Sequence, residues 1–247
     1  MAAPAWLTAR PIAHRGLHVR DNGVIENTIG AAKAAIGHGF GIECDVQLTR
    51  DGEAVVFHDF TLDRLTEATG PVAGRSVAEL AAIAMKGTSD RIPTLAAFLA
   101  EIGGRVPLVC EIKSSFDGDL RLTRRTAEIV ASYDGPVVLK SFDPDIVTAL
   151  IDLTDRPRGF VGENDYRHGE WDRLPPRLKH EMRNLLQLER MKPDFLSWQV
   201  KDLDTAVPFL ARKGLGLPVM TWTVRTPEHR AKAAQWADQM VFEGFVP

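Results

Sequence analysis

Between residues 11 and 245, short apolar runs alternate with stretches patterned for helix, and each apolar run stops at a polar or small residue. His14, Glu43, Glu111, Ser141, Gly162, Trp198, Trp222 and Phe242 mark eight such runs. A short, continuously apolar run suits a strand buried on both faces, as the strands of a parallel sheet are. Parallel neighbours need a crossover of about a dozen residues or more, usually a helix. Eight strand–helix units in a chain of 247 residues predict an α/β fold, the (β/α)8 TIM barrel. With 45% hydrophobic residues this length buries one large core, so a single domain over 1–247 is expected. A doubly wound open sheet is the alternative, but no Gly-x-Gly-x-x-Gly follows an early strand.

The stretch 41–59 is the most informative piece of that pattern. Glu43 and Asp45 stand two apart in an apolar run, so on a strand both carboxylates share one face, with Ile42, Cys44 and Val46 on the other. Arg50-Asp51-Gly52-Glu53 is a turn signal that folds the chain back into a second apolar strand, 54–57, ending at His58-Asp59. Before it, 11–13 reads as a strand delivering His14-Arg15-Gly16, and 29–38 as a helix with Asn27 or Thr28 as N-cap. After it the regularity lapses. Residues 60–91 hold one helical stretch and read as a small inserted subdomain, before a helix at 94–102 capped by Thr94. Strands are then predicted at 106–113, 137–142, 158–163, 195–200, 218–224 and 239–245. Helices are predicted at 120–132, 144–153, 204–213 and 227–237, with a looser helical region at 175–191.

Thirty basic against thirty-three acidic residues, a net charge of −3, argue against a nucleic-acid partner held by a broad basic surface. Cys44 and Cys110 are expected as buried thiols, since no Cys-x-x-Cys spacing exists. Residues 1–10 lack the pattern of a signal peptide, no run of about 18 apolar residues exists, and no amphipathic membrane-binding helix is evident. A soluble, cytoplasmic protein without stable membrane insertion is the expectation.

In such a barrel the site lies at the C-terminal strand ends. His14, Arg15, Glu43, Asp45, His58, Glu111, Lys113 and Trp222 fall there. Carboxylates from separate strands, with no thiolate or histidine cluster beside them, suit a hard divalent cation such as Mg²⁺ or Ca²⁺. Arg15 and Lys113 suit a phosphate, and two histidines suit proton transfer near neutrality. Together these describe phosphate-ester cleavage. Trp222 reads equally as core or as substrate wall. Lys140 reads as a solvated or packing residue, and His18, His38, His168, His180 and His229 as structural.

The motifs Ala13-His14-Arg15-Gly16, Glu26-Asn27-Thr28, Glu43-x-Asp45-Val46, Phe57-His58-Asp59, Leu62-Asp63-Arg64, Ile92-Pro93-Thr94-Leu95, Glu111-Ile112-Lys113 and Trp222-Thr223-Val224 occur in this order. In them the chain resembles the glycerophosphodiester phosphodiesterase family over about residues 11–245. The resemblance implies a TIM barrel with Glu43, Asp45 and Glu111 on a divalent ion, His14 and His58 as acid–base pair, and Arg15 and Lys113 on the phosphate. It implies a small-molecule substrate, a glycerophosphodiester hydrolysed to an alcohol and glycerol 3-phosphate. Ile25, Arg225 and Glu243 depart from the family pattern, the last two at the substrate rim, where they bear on the head group. The rival expectations are a lysophospholipase D-like or phospholipase C-like enzyme on the same barrel and a non-catalytic phosphate-binding barrel. An aldolase-type barrel would need a Schiff-base lysine, for which Lys140 is a weak candidate.

Overall fold

The strands of the computed structural model, which describes residues 3–19 and 23–247, are β1 (Ile12–Ala13), β2 (Gly41–Leu48), β3 (Ala54–Val56), β4 (Leu108–Ile112), β5 (Val137–Ser141), β6 (Arg158–Gly162), β7 (Phe195–Gln199), β8 (Val219–Val224) and β9 (Gln239–Phe242). Met1 and Ala2 of the N-terminal stretch read above lie outside the described residues, as do Arg20, Asp21 and Asn22. All pairings are parallel except that of β2 with β3, the hairpin arm. Because β1 pairs with both β2 and β9, the eight strands other than β3 close into a TIM barrel.

Closure follows from what each strand presents to its two faces. On β2, Ile42, Cys44 and Val46 join the outer core together with Ala32 and Ala35 of α1 (Ile29–Gly37). Glu43 and Asp45 point the other way, into the barrel, as the two-residue period requires. Cys44 and Cys110 are buried free thiols facing each other across the β2–β4 register. The barrel floor is apolar: Ile12, Val109, Val138, Phe195, Met220 and Val241 fill it, with Leu7 of the 3-10 turn Ala5–Thr8 as a plug from below. Gly159 makes room for one of them, since a Cβ there would lie 2.3 Å from the Phe195 ring.

The helices follow in turn: α2 (Val77–Ala82), α3 (Leu95–Ile102), α4 (Arg121–Ala131), α5 (Pro144–Leu153), α6 (Pro176–Arg183), α7 (Leu188–Met191), α8 (Ala206–Gly214) and α9 (Pro227–Trp236). Thr28, not Asn27, caps α1, its hydroxyl accepting from the Ala31 N–H. The loose helical region at 175–191 is two helices, because Leu185 takes a left-handed φ of 53° between them. The last strand stops at Phe242, three residues before its predicted end. Residues 62–85 pack Leu62, Leu65, Val72, Leu80 and Met85 against Ile25, Val55, Phe57 and Ile92, in a cluster separate from the barrel core. No helix among the described residues is long and apolar enough to cross a membrane.

Candidate active site

The chain leaves β1 through a turn that two left-handed residues make possible, Arg15 at φ 55° and Gly16 at φ 79°. The Gly16 N–H donates to the Glu43 carbonyl at 3.1 Å, and the Arg15 N–H to the Glu43 carboxylate at 3.1 Å. The turn is thereby pinned to β2, with His14 projecting inward above the floor. The Nδ1 of His14 lies 2.6 Å from Glu243 Oε2. An ionised carboxylate only accepts, so Nδ1 carries the hydrogen and Nε2 is the ring nitrogen left for chemistry. Nε2 stands 4.0 Å from Glu43 Oε2.

Glu43 and Asp45 of β2 meet Glu111 of β4, which is level with Asp45 in the register. One oxygen from each lies within 4.8 Å of the other two, and all three groups are buried. Three converging hard oxygens in a cage of this size fit a divalent cation. Cations already surround them. Lys113 Nζ is 3.2 Å from Glu111 and 3.6 Å from Asp45, and Arg15 Nε is 3.4 Å from Asp45. Lys140 Nζ is 3.0 Å from Glu43 and 3.2 Å from Glu111. Burial would push Asp45 up, but His58, Lys113, Arg15 and a hydrogen bond from Asn27 hold it well below the usual carboxylate range. Burial likewise opposes ionisation of Lys140, and Glu43 and Glu111 reverse that, raising it above an ordinary lysine. Glu111 is likewise lowered and Lys113 raised, against burial, by their mutual attraction, so Asp45, Glu111, Lys113 and Lys140 are all charged at neutral pH.

His58 follows the hairpin arm, its backbone carbonyl held at 2.9 Å by the Gln47 side-chain amide. Its Nδ1 donates to Asp59 Oδ1 at 2.7 Å by the same argument as for His14. Arg64 spans Asp59 and Glu26, and Glu26 also accepts from Arg15 at 2.7 Å. Burial would raise Glu26, but these two guanidinium groups lower it to about 2. His14, Arg15, Asp45, His58, Glu111, Lys113 and Trp222 all line one cavity of about 230 Å³. A wider cavity of about 550 Å³ adjoins it, sharing His58, Glu111, Lys113, Phe142 and Trp171, with Phe60 and Phe116 on its far wall. Trp222 points inward, edge-on to Phe142 at 5.4 Å, resting on the floor cluster below and lining the cavity above.

A model of the glycerophosphoryl diester phosphodiesterase family matches residues 14–246. The chain belongs to that family. It is an enzyme, a phosphoric diester hydrolase of the family. It is similar to a glycerophosphodiester phosphodiesterase of Caldanaerobacter subterraneus, 44% identical over 142 residues, 53% of this chain and 57% of that one. Human glycerophosphodiester phosphodiesterase 1 is 25% identical over 249 residues, 89% of this chain and 73% of that one. The fold is shared with an Oleispira antarctica phosphodiesterase solved with its product sn-glycerol 3-phosphate, at TM-score 0.77 and 22% identity, covering 95% and 92% of the two chains. A Thermotoga maritima glycerophosphodiester phosphodiesterase gives TM-score 0.71 and 23% identity, covering 94% and 92%.

The candidate site holds more than the sequence pattern singled out. Lys140 is neither solvated nor mere packing: it is 2% exposed and ion-paired inside the carboxylate cluster. Asn27 is no helix cap but clasps Asp45, its amide donating to Oδ2 at 3.0 Å and its oxygen accepting the Asp45 N–H at 3.3 Å. His168, read as structural, lines the cavity 3.3 Å from the buried carboxylate of Glu163. Glu243 leaves the rim to bond His14, and Arg225 follows it at 2.8 Å. Two of these carried a signal in the strand period. Lys140 has the inward parity of Val138, and Glu243 that of Val241.

Proposed function

We propose that this enzyme hydrolyses a glycerophosphodiester to an alcohol and glycerol 3-phosphate, with His14 and His58 as the proton-transfer pair. The reading is carried by one observation: two imidazoles, each tied at Nδ1 to a carboxylate, open on the same small cavity as the acids and cations that suit a phosphodiester. Arg15 and Lys113 hold the phosphate, and Trp222 walls the glycerol side. Glu43, Asp45 and Glu111 hold a divalent ion, Mg²⁺ or Ca²⁺, which when bound acts as a Lewis acid on the phosphate and offsets charge developing on it. One histidine takes the proton of the neighbouring glycerol hydroxyl as that oxygen bonds to phosphorus, while the other protonates the departing alcohol oxygen; water then opens the resulting cyclic phosphate with the two roles reversed, giving glycerol 3-phosphate. The Nε2 atoms perform both transfers, because each Nδ1 is engaged behind the ring.

The wider cavity favours a second reading of the glycerol side of the substrate, with the same departing alcohol. Phe60, Phe116, Phe142 and Trp171 line about 550 Å³ next to His58, enough for an apolar substituent such as the acyl chain of a lysophospholipid. Incubating the purified protein with glycerophosphocholine or lysophosphatidylcholine, with Mg²⁺ or Ca²⁺, and assaying glycerol 3-phosphate against lysophosphatidic acid separates the two. His14→Ala and His58→Ala should each lower turnover by about 100-fold or more with the fold retained. Excess EDTA should abolish it. Near-normal turnover in either variant would reject the acid–base pair, and full activity in EDTA would reject the ion.

A further inference from the structure

The two residues that depart from the family pattern near the last strands, Arg225 and Glu243, touch each other. We propose that Glu243, braced by Arg225, is a positioning residue that fixes the tautomer and ring angle of His14. The inference rests on the hydrolase reading above. Its basis is a repeated arrangement. His14 Nδ1 donates to Glu243 at 2.6 Å, and Arg225 Nη2 donates to the same carboxylate oxygen at 2.8 Å. His58 Nδ1 donates to Asp59 at 2.7 Å, and Arg64 donates to both oxygens of Asp59. Each imidazole is thus backed by a carboxylate and each carboxylate by a guanidinium. An imidazole so held presents Nε2 in one orientation, which proton transfer over hydrogen-bond distance demands.

The two units differ in how they are built. Asp59 is the chain neighbour of His58, whereas Glu243 stands 229 residues from His14 and reaches it only because β9 and β1 are adjacent. Arg64 is anchored a second time, on Glu26, while Arg225 is half exposed. Glu243 is itself about a quarter exposed, so Arg225 covers the side of the carboxylate that water would otherwise solvate. A specificity role at the rim would demand that the Glu243 carboxylate point toward substrate. Both bonds to its Oε2 point it at the ring and the guanidinium instead.

The two roles separate kinetically. If Glu243 positions His14, Glu243→Ala should lower kcat about 10- to 100-fold with KM within about twofold, equally for glycerophosphocholine and glycerophosphoethanolamine. Glu243→Gln, which keeps the shape and so the fold, should lower kcat about tenfold. Arg225→Gln should cost less, and adding it to Glu243→Ala should change nothing further, since the two act as one unit. Histidine-ring ¹H–¹⁵N correlation spectra should show His14 as the Nδ1–H tautomer in the wild type and as a mixture in Glu243→Ala. An unchanged kcat with an altered KM or altered head-group preference would overturn the proposal in favour of a rim role. An unchanged His14 ring signal in both Glu243 variants would overturn it as well. Should the wild-type protein prove inactive on every diester, the hydrolase reading fails, and the ring spectra still decide whether Glu243 sets the tautomer.

Discussion

Lys140 puts a fixed positive charge where three carboxylates converge, 3.0 Å from Glu43 and 3.2 Å from Glu111. With Lys113 and Arg15 it offsets the three acids charge for charge. A dication entering the cluster therefore meets repulsion as well as attraction. At an effective dielectric near 20, an ammonium and a dication about 5 Å apart repel by roughly 6 kcal/mol. Even a quarter of that, about 1.5 kcal/mol, is more than tenfold in affinity. Lys140→Met should accordingly bind Mg²⁺ and Ca²⁺ at least about tenfold more tightly by calorimetric titration. In EDTA the same variant should be less stable by about 3–5 kcal/mol, because Glu43 and Glu111 lose a buried partner. Weaker or equal ion binding would show that Lys140 organises the carboxylates more than it competes for them. Of the seven polar residues singled out in the sequence, His14, Arg15 and His58 follow apolar runs, while Glu43, Asp45, Glu111 and Lys113 alternate with apolar residues and declare themselves as acidic or charged pairs two apart. Lys140 sits inside such a run, where only strand parity betrays it, and the contact of Glu243 with His14 depends on barrel closure, which no local pattern encodes.

The turn from β1 into α1 shows how one element sets the site. Gly16 must take φ 79°, and a Cβ there would stand 2.7 Å from the Ala31 Cβ and 2.9 Å from its backbone carbon. Gly16→Ala therefore moves either α1 or the turn carrying His14 and Arg15. The variant should lose about 2 kcal/mol or more of stability, read as a lower urea midpoint, and lose turnover out of proportion to that. A folded variant with full activity would mean that the turn tolerates the shift. At this scale most of the barrel was legible, since buried parallel strands carry their apolar runs unbroken. The misreadings fall where a backbone conformation decides: Leu185 at φ 53° splits 175–191 into two helices, and Gly244 at φ 83° turns the chain just after β9. A positive φ at a leucine has no sequence signature.

Across the whole molecule, Glu26 joins parts that the chain order keeps apart. It accepts from Arg15 at the end of β1 and from Arg64, which lies in the segment after the hairpin and also holds Asp59 behind His58. One carboxylate thus ties that segment to both halves of the proposed acid–base pair. Its pKa falls to about 2 from 4.5, so its contribution to stability is present in full above the unfolded value and is lost as pH drops from about 5 toward 2. Glu26→Gln removes the charge at every pH. The stability gap between wild type and variant should therefore be widest near neutrality and close by up to about 3 kcal/mol on acidification, the other acids cancelling in the difference. Denaturant midpoints of the two proteins between pH 7 and pH 3 measure it. A gap that stays constant would mean that Glu26 acts through shape and hydrogen bonding alone. If the gap closes and Glu26→Gln also turns over more slowly than wild type at neutral pH, the ion-pair chain from Arg15 through Glu26 and Arg64 to Asp59 couples the segment's seating to the chemistry.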